Sequence, residues 1–279
     1  MKKFIVAFDG LKFSESARDY AIELARQSSA HLVGIFLDDG LRHSYKIYDL
    51  VTDSGNTELK QKRLEQKDIK IRKDASTNFE TACQKAGLQF SVHHDKRIAI
   101  RELLRESIYA DLLIMNSGET LTAYKEKIPS EFARNLLTQV QCPALLVPHK
   151  FKPIKSLVLL FDGEPSSVCA IKMFSYTLAS LKQEPTEIVS VKNMNQTMHV
   201  PDSNLMKEFM KRHFPKARYT VLKGIPELEI VNYLKVQKDT PLVVLGAYQR
   251  GIVSRWFRAS MADVLMRDLK LPLFIAHSK

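Results

Sequence analysis

Short apolar runs alternate with longer amphipathic segments along the whole chain. In the first half the apolar runs are FIVAF, HLVGIFL, QFSVHH, DLLIMN and PALLVP. Between them lie segments such as SESARDYAIELARQS, whose apolar positions recur every three or four residues, as on one face of a helix. Continuous apolar strands between helices are typical of a parallel sheet covered on both faces, so the pattern predicts an open α/β fold.

The second half of the chain repeats the plan of the first. FIVAFDG at 4–10 returns as LVLLFDG at 157–163, and CPALLVPHK at 142–150 returns as LPLFIAHSK at 271–279. DLLIMN returns in the same order as PLVVLG. Such a repeat indicates duplication of one structural unit.

The repeat predicts two domains, 1–149 and 154–279, joined by a linker at 150–153. Each domain is expected to form its own sheet of five parallel strands. The expected fold class is therefore α/β, with two repeated open α/β sandwich domains.

The first half is longer than the second. Asp9 and Asp162 are 153 residues apart, whereas Pro143 and Pro272 are 129 residues apart, which leaves 24 extra residues in the first half. They fall between the second and third strands, at about 40–78, where ELKQKRLEQKDIKIRKD predicts a charged, exposed helix.

Composition favours a globular protein of the cytoplasm. Hydrophobic residues make up 45% and charged residues 26% of the 279 residues. No apolar run approaches the roughly 18–20 residues that a membrane span needs. Three cysteines, Cys83, Cys142 and Cys169, have no C-x-x-C spacing and fit a reducing compartment, where each is expected to be a small buried apolar side chain.

The net charge of +11 lies mostly in the second half. Residues 1–150 hold 23 Lys and Arg against 20 Asp and Glu, whereas residues 151–279 hold 19 against 11. A basic half attracts phosphate ligands or nucleic acid. Because no nucleic-acid motif occurs and aromatic residues are not interleaved with the basic ones, a solvated basic surface is favoured over nucleic-acid binding.

Two features mark candidate ligand sites, because open α/β sheets bind ligands at the carboxyl ends of their strands. Asp9 and Asp162 follow the first strand of each half, and a long loop follows the fourth strand and leads into a helix near Ser130 or Ser260. A helix start suits an anion, and an aspartate suits a ribose or an adenine amine. Both aspartates are equally open to a simpler interpretation as turn or cap residues.

These features together resemble the universal stress protein family in its tandem, two-domain form, over nearly the whole chain. The resemblance implies an adenine-nucleotide alpha-hydrolase-like fold and a non-enzymatic role in the stress response. It also implies that the short strands in ALLVP and LFIA pair the two halves about a twofold axis, as an internal pseudo-dimer. A homo-oligomer of the whole chain stays open, and no protein client is named.

The nucleotide-binding branch of that family carries G-x2-G-x9-G-(S/T) after its fourth strand. In the second half this pattern falls on Gly246, Gln249, Ala259 and Ser260, with basic Arg250 and Arg258 in the loop. The first glycine and the serine match, whereas the two middle glycines are replaced. We expect this loop to be a degenerate phosphate loop that binds ATP or another adenine nucleotide weakly at most.

The first half departs further from the pattern. Its corresponding positions are Asn116, Glu119, Pro129 and Ser130, so that only the serine matches. Glu119 brings a negative charge toward the phosphates, and Pro129 lacks a backbone N–H. We expect this half to bind no nucleotide.

Other chemistry is weakly indicated. His93 and His94 are adjacent on a strand, where side chains point to opposite faces, so they do not predict a metal site. No G-x-S-x-G or complete P-loop pattern occurs, so no catalytic residue is assigned. An enzyme that hydrolyses or transfers a nucleotide phosphate with Asp162 and the second loop is the alternative function.

Overall fold

The computed structural model describes residues 1–37, 43–45, 57–95, 99–121, 126–193, 199–237, 239–246 and 259–276. The first half alternates strands with helices throughout. In chain order its elements are β1 (Lys3–Asp9), α1 (Glu15–Ser28), β2 (His31–Leu37), α2 (Thr57–Lys85), β3 (Phe90–Asp95), α3 (Ala99–Ile108), β4 (Leu112–Asn116), α4 (Glu131–Leu137) and β5 (Ala144–Val147).

The second half follows the same order, with one short 3-10 helix (Ala179–Gln183) added before its second strand. Its other elements are β6 (Ser156–Leu160), α5 (Pro165–Thr177), β7 (Thr186–Lys192), α6 (Ser203–His213), β8 (Arg218–Lys223), α7 (Pro226–Lys235), β9 (Pro241–Gly246), α8 (Ala259–Asp268) and β10 (Leu273–Ala276). The apolar runs of the sequence form the strands, as predicted.

All ten described strands belong to one sheet, in the order β3-β2-β1-β4-β5-β10-β9-β6-β7-β8. Within each half the strands pair in parallel, and β5 pairs with β10 in antiparallel register, with Leu145 opposite Phe274. The expectation of two separate sheets is therefore wrong. The sheet is continuous because the edge strand of each half donates and accepts backbone hydrogen bonds across the junction.

Apolar side chains cover both faces of this sheet without a break between the halves. One buried cluster joins Ile5 and Leu113 of the first half to Val158 and Val243 of the second, and the other face has a similar cluster. Strands buried on both faces explain why the runs in the sequence are continuously apolar.

The additional residues of the first half contribute to a helix of 29 residues, α2, where the second half has one of 11 residues, α6. The stretch ELKQKRLEQKDIKIRKD (58–74) is helical and largely exposed, as predicted, with Asp68 buried, and the helix continues into a part in which Ala75, Phe79 and Cys83 are buried. The Phe79 ring occupies the space beside Gly34 of β2. A Cβ added to Gly34 would lie only 2.6 Å from Phe79 Cε1. Because Gly34 has no Cβ, the Phe79 ring packs directly on β2 and holds α2 against the sheet.

The connection between the halves lies against α1. The Lys152 backbone N–H donates to the Tyr20 hydroxyl over 3.3 Å, and the Phe151 and Tyr20 rings meet edge to face at 4.8 Å.

Cys83 and Cys142 are buried as expected, and burial raises the pKa of each thiol to about 12, whereas Cys169 is half-buried. None of the described helices has the length and apolar composition to span a membrane.

Candidate ligand site at the sheet switch point

A cavity of about 740 Å³ opens in the first half at the point where the strand order reverses, between β1 and β4. Open α/β sheets place their ligands at this switch point, beyond the carboxyl ends of the strands. The segments after β1, β4 and β5 supply its walls. The polar residues among them are Lys12, Ser14, Glu15, Ser16, Asn116, Glu119, Thr120, Glu126 and His149.

Asp9 and Asp162, at the ends of the first strands of the two halves, each stabilise a turn through the side-chain carboxylate. The Asp9 carboxylate accepts the backbone N–H of Leu11 over 2.9 Å, and the Asp162 carboxylate accepts that of Glu164 over 3.0 Å. Both are buried, with 1% and 9% of their surface exposed. A carboxylate that accepts the N–H two residues ahead is an Asx turn, which is the structural role open to both residues from the sequence.

Asn116 ties the loop after β4 to the start of α1. Its side-chain amide donates to the Ser14 hydroxyl over 3.2 Å and its carbonyl accepts the Gly118 N–H over 2.8 Å. Ser14 also caps α1 by accepting the Ala17 N–H. The residue in the position of the family's first glycine therefore has a bonding role of its own in this half.

The equivalent Gly246 of the second half packs in a different way. A Cβ placed on it would lie 2.4 Å from the Ser166 carbonyl oxygen and 2.9 Å from the Ser167 nitrogen, in the first turn of α5. Only glycine allows the strand end and the helix start to approach this closely. Packing alone therefore explains the one glycine of the pattern that this chain keeps.

Glu119 is buried at the wall of the cavity, with 6% of its surface exposed. One carboxylate oxygen accepts the backbone N–H groups of Thr120 and Leu121 over 3.1 and 3.2 Å. These hydrogen bonds hold the negatively charged Glu119 carboxylate in the loop after β4. In phosphate-binding members of the family, the same loop wraps around the phosphates.

Ser130 is fully engaged within the protein. Its hydroxyl donates to the Glu119 carbonyl over 2.5 Å and accepts the Ala133 N–H over 3.1 Å as the N-cap of α4. Pro129 beside it is buried as well. The structure thus brings Asn116, Glu119 and Ser130 together, and the serine that would meet a phosphate binds the loop instead.

Ser130→Ala should lower the free energy of unfolding by about 1–2 kcal/mol, because it removes a helix cap and leaves the Glu119 carbonyl without its donor. Chemical denaturation monitored by circular dichroism measures this. Thr138→Ala, which removes only a hydroxyl bonded to the Asn135 carbonyl on an exposed surface, is the matched control and should change stability by less than about 0.5 kcal/mol. Equal stability of both variants would show that Ser130 does not hold the loop.

The second loop lies largely outside the described residues. Gln249, Arg250 and Arg258 fall there, as do the side chains of Ala259 and Ser260, whose backbone begins α8. Their predicted roles stay predictions.

The sequence did not single out three residues at the cavity, Glu15, Glu126 and His149. His149 follows β5, the neighbour of β4, so the rule that ligands bind at strand carboxyl ends applies to it too. Glu15 and Glu126 carry no such signal, because a first-turn helix residue and a loop residue are usually solvated.

His93 bonds to Glu106 over 2.8 Å, and no metal-binding group of three or more His, Cys, Asp or Glu occurs in the described part of the chain.

Taken together, duplicated parallel α/β halves with a cavity at the switch point define an α/β protein of the adenine-nucleotide alpha-hydrolase-like fold. The sequence profile of the Universal stress protein family matches residues 1–148. Because this is more than half of the chain, the chain belongs to the universal stress protein family.

Solved structures support the fold over the full length. A universal stress protein from Archaeoglobus fulgidus is similar with a TM-score of 0.68 at 12% identity, over 99% of this chain and 98% of that one. A functionally unknown protein from Pseudomonas aeruginosa gives 0.60 at 11% identity, over 99% and 92%. The cytoplasmic domain of a prokaryotic cation chloride cotransporter gives 0.51 at 10% identity, over 98% and 94%. Among proteins of curated function, no sequence relative was detected.

Proposed function

We propose that this universal stress protein acts in stress adaptation by binding, without catalysing a reaction, and that its first half holds no nucleotide. The observation that carries the proposal is the position of Ser130, whose hydroxyl caps α4 and donates to the Glu119 carbonyl. A phosphate that accepts from the Ser130 hydroxyl would have to displace its hydrogen bond to the Glu119 carbonyl.

The charges around the first cavity support the same conclusion. Glu15, Glu119 and Glu126 line it, against Lys12 as the one lysine or arginine among its described lining residues. Like charges about 4 Å apart repel by roughly 1–4 kcal/mol, depending on solvent exposure, so a triphosphate is disfavoured there.

The second half is the better candidate for a nucleotide, and we expect binding to be weak. It has Ser260 at the family's last position and Arg250 and Arg258 in the loop, and Gly246 also matches, although packing against α5 accounts for that glycine. Loss of one or two phosphate hydrogen bonds weakens affinity by about ten- to a hundredfold per bond. Binding by this half would then lie between the micromolar and millimolar ranges.

Restoring the replaced glycines should recover affinity. We expect the Gln249→Gly, Ala259→Gly double variant to bind ATP at least about tenfold more tightly, since glycine lets the backbone wrap closely around the phosphates. Arg258→Ala should bind ATP about tenfold more weakly, since it removes a positive charge from the loop. Isothermal titration calorimetry with magnesium and ATP measures both. Arg26→Ala, an exposed arginine on α1, is the control and should leave affinity unchanged. No gain from the glycines would mean that the loop is not a degenerate phosphate site.

The alternative is an ATP-hydrolysing protein that uses Asp162 and the second loop. Phosphoryl transfer requires a carboxylate to hold the metal and a positioned nucleophile. The Asp162 carboxylate accepts the Glu164 N–H as a turn residue, which favours a structural role. Phosphate release from ATP and magnesium by the wild type, lost in Ser260→Ala, would establish the alternative instead.

We propose further that the two halves form an internal pseudo-dimer within a cytoplasmic protein. The antiparallel pairing of β5 with β10 supports the first statement. The cysteines without disulfides support the second.

A further inference from the structure

A second cavity, of about 390 Å³, lies at the opposite edge of the sheet, in the second half. It is bounded by the end of the 3-10 helix, the end of α6 and the amino ends of β7 and β8. It is therefore separate from the switch-point sites, which lie at the carboxyl ends of the strands.

The ionisable side chains around this cavity are mostly basic. Lys182, Arg212 and Lys216 line it together with His213, and Glu184 is the one carboxylate among its described lining residues. We call these five residues and the space between them the basic cavity. An excess of positive charge in a concave surface attracts anions, because the low-dielectric walls concentrate the field.

Compensation of helix ends does not account for all of these charges. Cations are common at helix C-termini, where the backbone carbonyls are unsatisfied. The end of α5 has such a cation in Lys2, whose ammonium donates to the Tyr176 and Thr177 carbonyls over 2.6 and 2.7 Å. Arg212 turns back along α6 to the Glu208 carboxylate over 3.3 Å.

Lys216 adds charge beyond that need, whereas Lys182 lies in the last turn of the 3-10 helix. The Lys182 ammonium lies 6.0 Å from the centre of the Tyr176 ring, and Lys216 is exposed in the turn before β8. In the described part of the chain neither forms an ion pair with a carboxylate. Their positive charge is thus available to an anion.

His213 is held in a fixed orientation at the cavity wall. The Ser175 hydroxyl donates its proton to the Lys172 carbonyl over 2.8 Å, so its oxygen must accept from His213 Nδ1, 2.7 Å away. The Phe209 and Tyr176 rings pack against the imidazole at 4.3 and 5.5 Å. With Nδ1 committed to Ser175, Nε2 is the ring atom that gains or loses a proton.

The surroundings of this imidazole disfavour its protonated form. Burial, then the Lys182 charge and then the Lys172 charge lower the pKa of His213 from its ordinary value of 6.5. The charged groups that face it come from every neighbouring element: Lys172 on α5, Lys182 and Glu184 at the 3-10 helix, Arg212 on α6, and Lys216 in the following turn. An anion would offset this repulsion and favour the protonated ring.

We propose that the basic cavity binds a small multivalent oxyanion, a phosphate group or a sulfate, through Lys182, Lys216 and His213. Binding is coupled to proton uptake by His213, so affinity increases as the pH falls. This property goes beyond the proposed function and does not depend on nucleotide binding at the loops.

The test uses sulfate on the full-length protein, because the charge of sulfate stays constant over the range from about pH 5.5 to 8 in which histidine titrates. Sulfate is titrated against sodium chloride of equal ionic strength, and NMR follows the His213 ring proton together with the backbone amides. Affinity should rise about three- to tenfold from the upper to the lower pH, with a higher His213 pKa in sulfate than in chloride.

Variants test each part of the site. Lys182→Met and Lys216→Met should each weaken sulfate binding about three- to tenfold, whereas Lys150→Met, an exposed lysine outside the cavity, should not. His213→Gln should remove the dependence on pH. Lys216 is exposed, so its variant tests the site even if Lys182→Met alters folding, which the amide spectrum reports.

Three results would overturn the proposal. They are unchanged sulfate binding in Lys216→Met, an equal loss in Lys150→Met, and a His213 pKa that sulfate does not move. Inorganic phosphate and a phosphomonoester, titrated at one pH, then separate the two sources of the anion. The tighter of the two identifies the source, and binding of sulfate alone would assign the cavity to sulfate.

Discussion

Gly246→Ala should lower the free energy of unfolding by about 3 kcal/mol and the melting temperature by several degrees, in the absence of any nucleotide. The added Cβ would lie 2.4 Å from the Ser166 oxygen and 2.5 Å from the Ser166 carbonyl carbon. Both atoms belong to the backbone of the first turn of α5, which moves only if the helix moves. Thermal unfolding of the ligand-free protein, measured by calorimetry, gives the result.

Gly118→Ala is the matched control from the first half. There the added Cβ would meet mainly the His149 ring, with Nε2 at 2.7 Å, and His149 is an exposed side chain that rotates away. We expect a change of less than about 0.5 kcal/mol. Equal effects of the two substitutions, or a stable Gly246→Ala protein that loses ATP affinity alone, would assign Gly246 to ligand binding instead of packing.

Separating the two halves should leave each with an unpaired apolar edge strand, β5 in the first half and β10 in the second. Residues 1–149 and 154–279, produced as separate chains, should each self-associate or aggregate, because β5 and β10 lose the partner that now pairs with them. All the residues of both strands are buried in the intact chain, including Leu145 and Phe274. Size-exclusion chromatography with light scattering gives the mass of each.

Mixing the halves provides the control for this experiment. Produced together, the two fragments should form a one-to-one complex whose mass matches the intact chain, since the β5–β10 pairing and both shared apolar clusters are restored. Stable, monodisperse monomers of both isolated halves would count against the pseudo-dimer.

The strands and their order of appearance are predictable from the sequence, because strands buried on both faces require continuous apolar runs such as FIVAF and LVLLF. The position of the first cavity follows as well, since Asp9 and Asn116 end the strands β1 and β4 on either side of the switch point. The sequence predicts the pairing of ALLVP with LFIA, which are β5 and β10, but two separate sheets instead of the one continuous sheet that this pairing forms.

Other features depend on contacts between segments that are distant in the sequence. The packing of α2 depends on Phe79 meeting Gly34, and neither residue alone indicates it. The roles of Ser130 and Gly246 depend on Glu119 and Ser166, which pattern matching within a loop does not consider. The basic cavity likewise joins Lys182 to Lys216 across a strand and a helix. Such pairings follow from topology and local packing, so periodicity and motif spacing leave them undetermined.

We propose that the first half binds no nucleotide while the second binds one weakly at most. The most direct test of this proposal is titration of ATP and magnesium into the wild type and the Ser130→Ala and Ser260→Ala variants, with calorimetric stoichiometry. We expect at most one site, no tighter than about the micromolar range, whose affinity Ser260→Ala weakens and Ser130→Ala leaves unchanged. Two sites, or tight binding that Ser130→Ala abolishes, would contradict it.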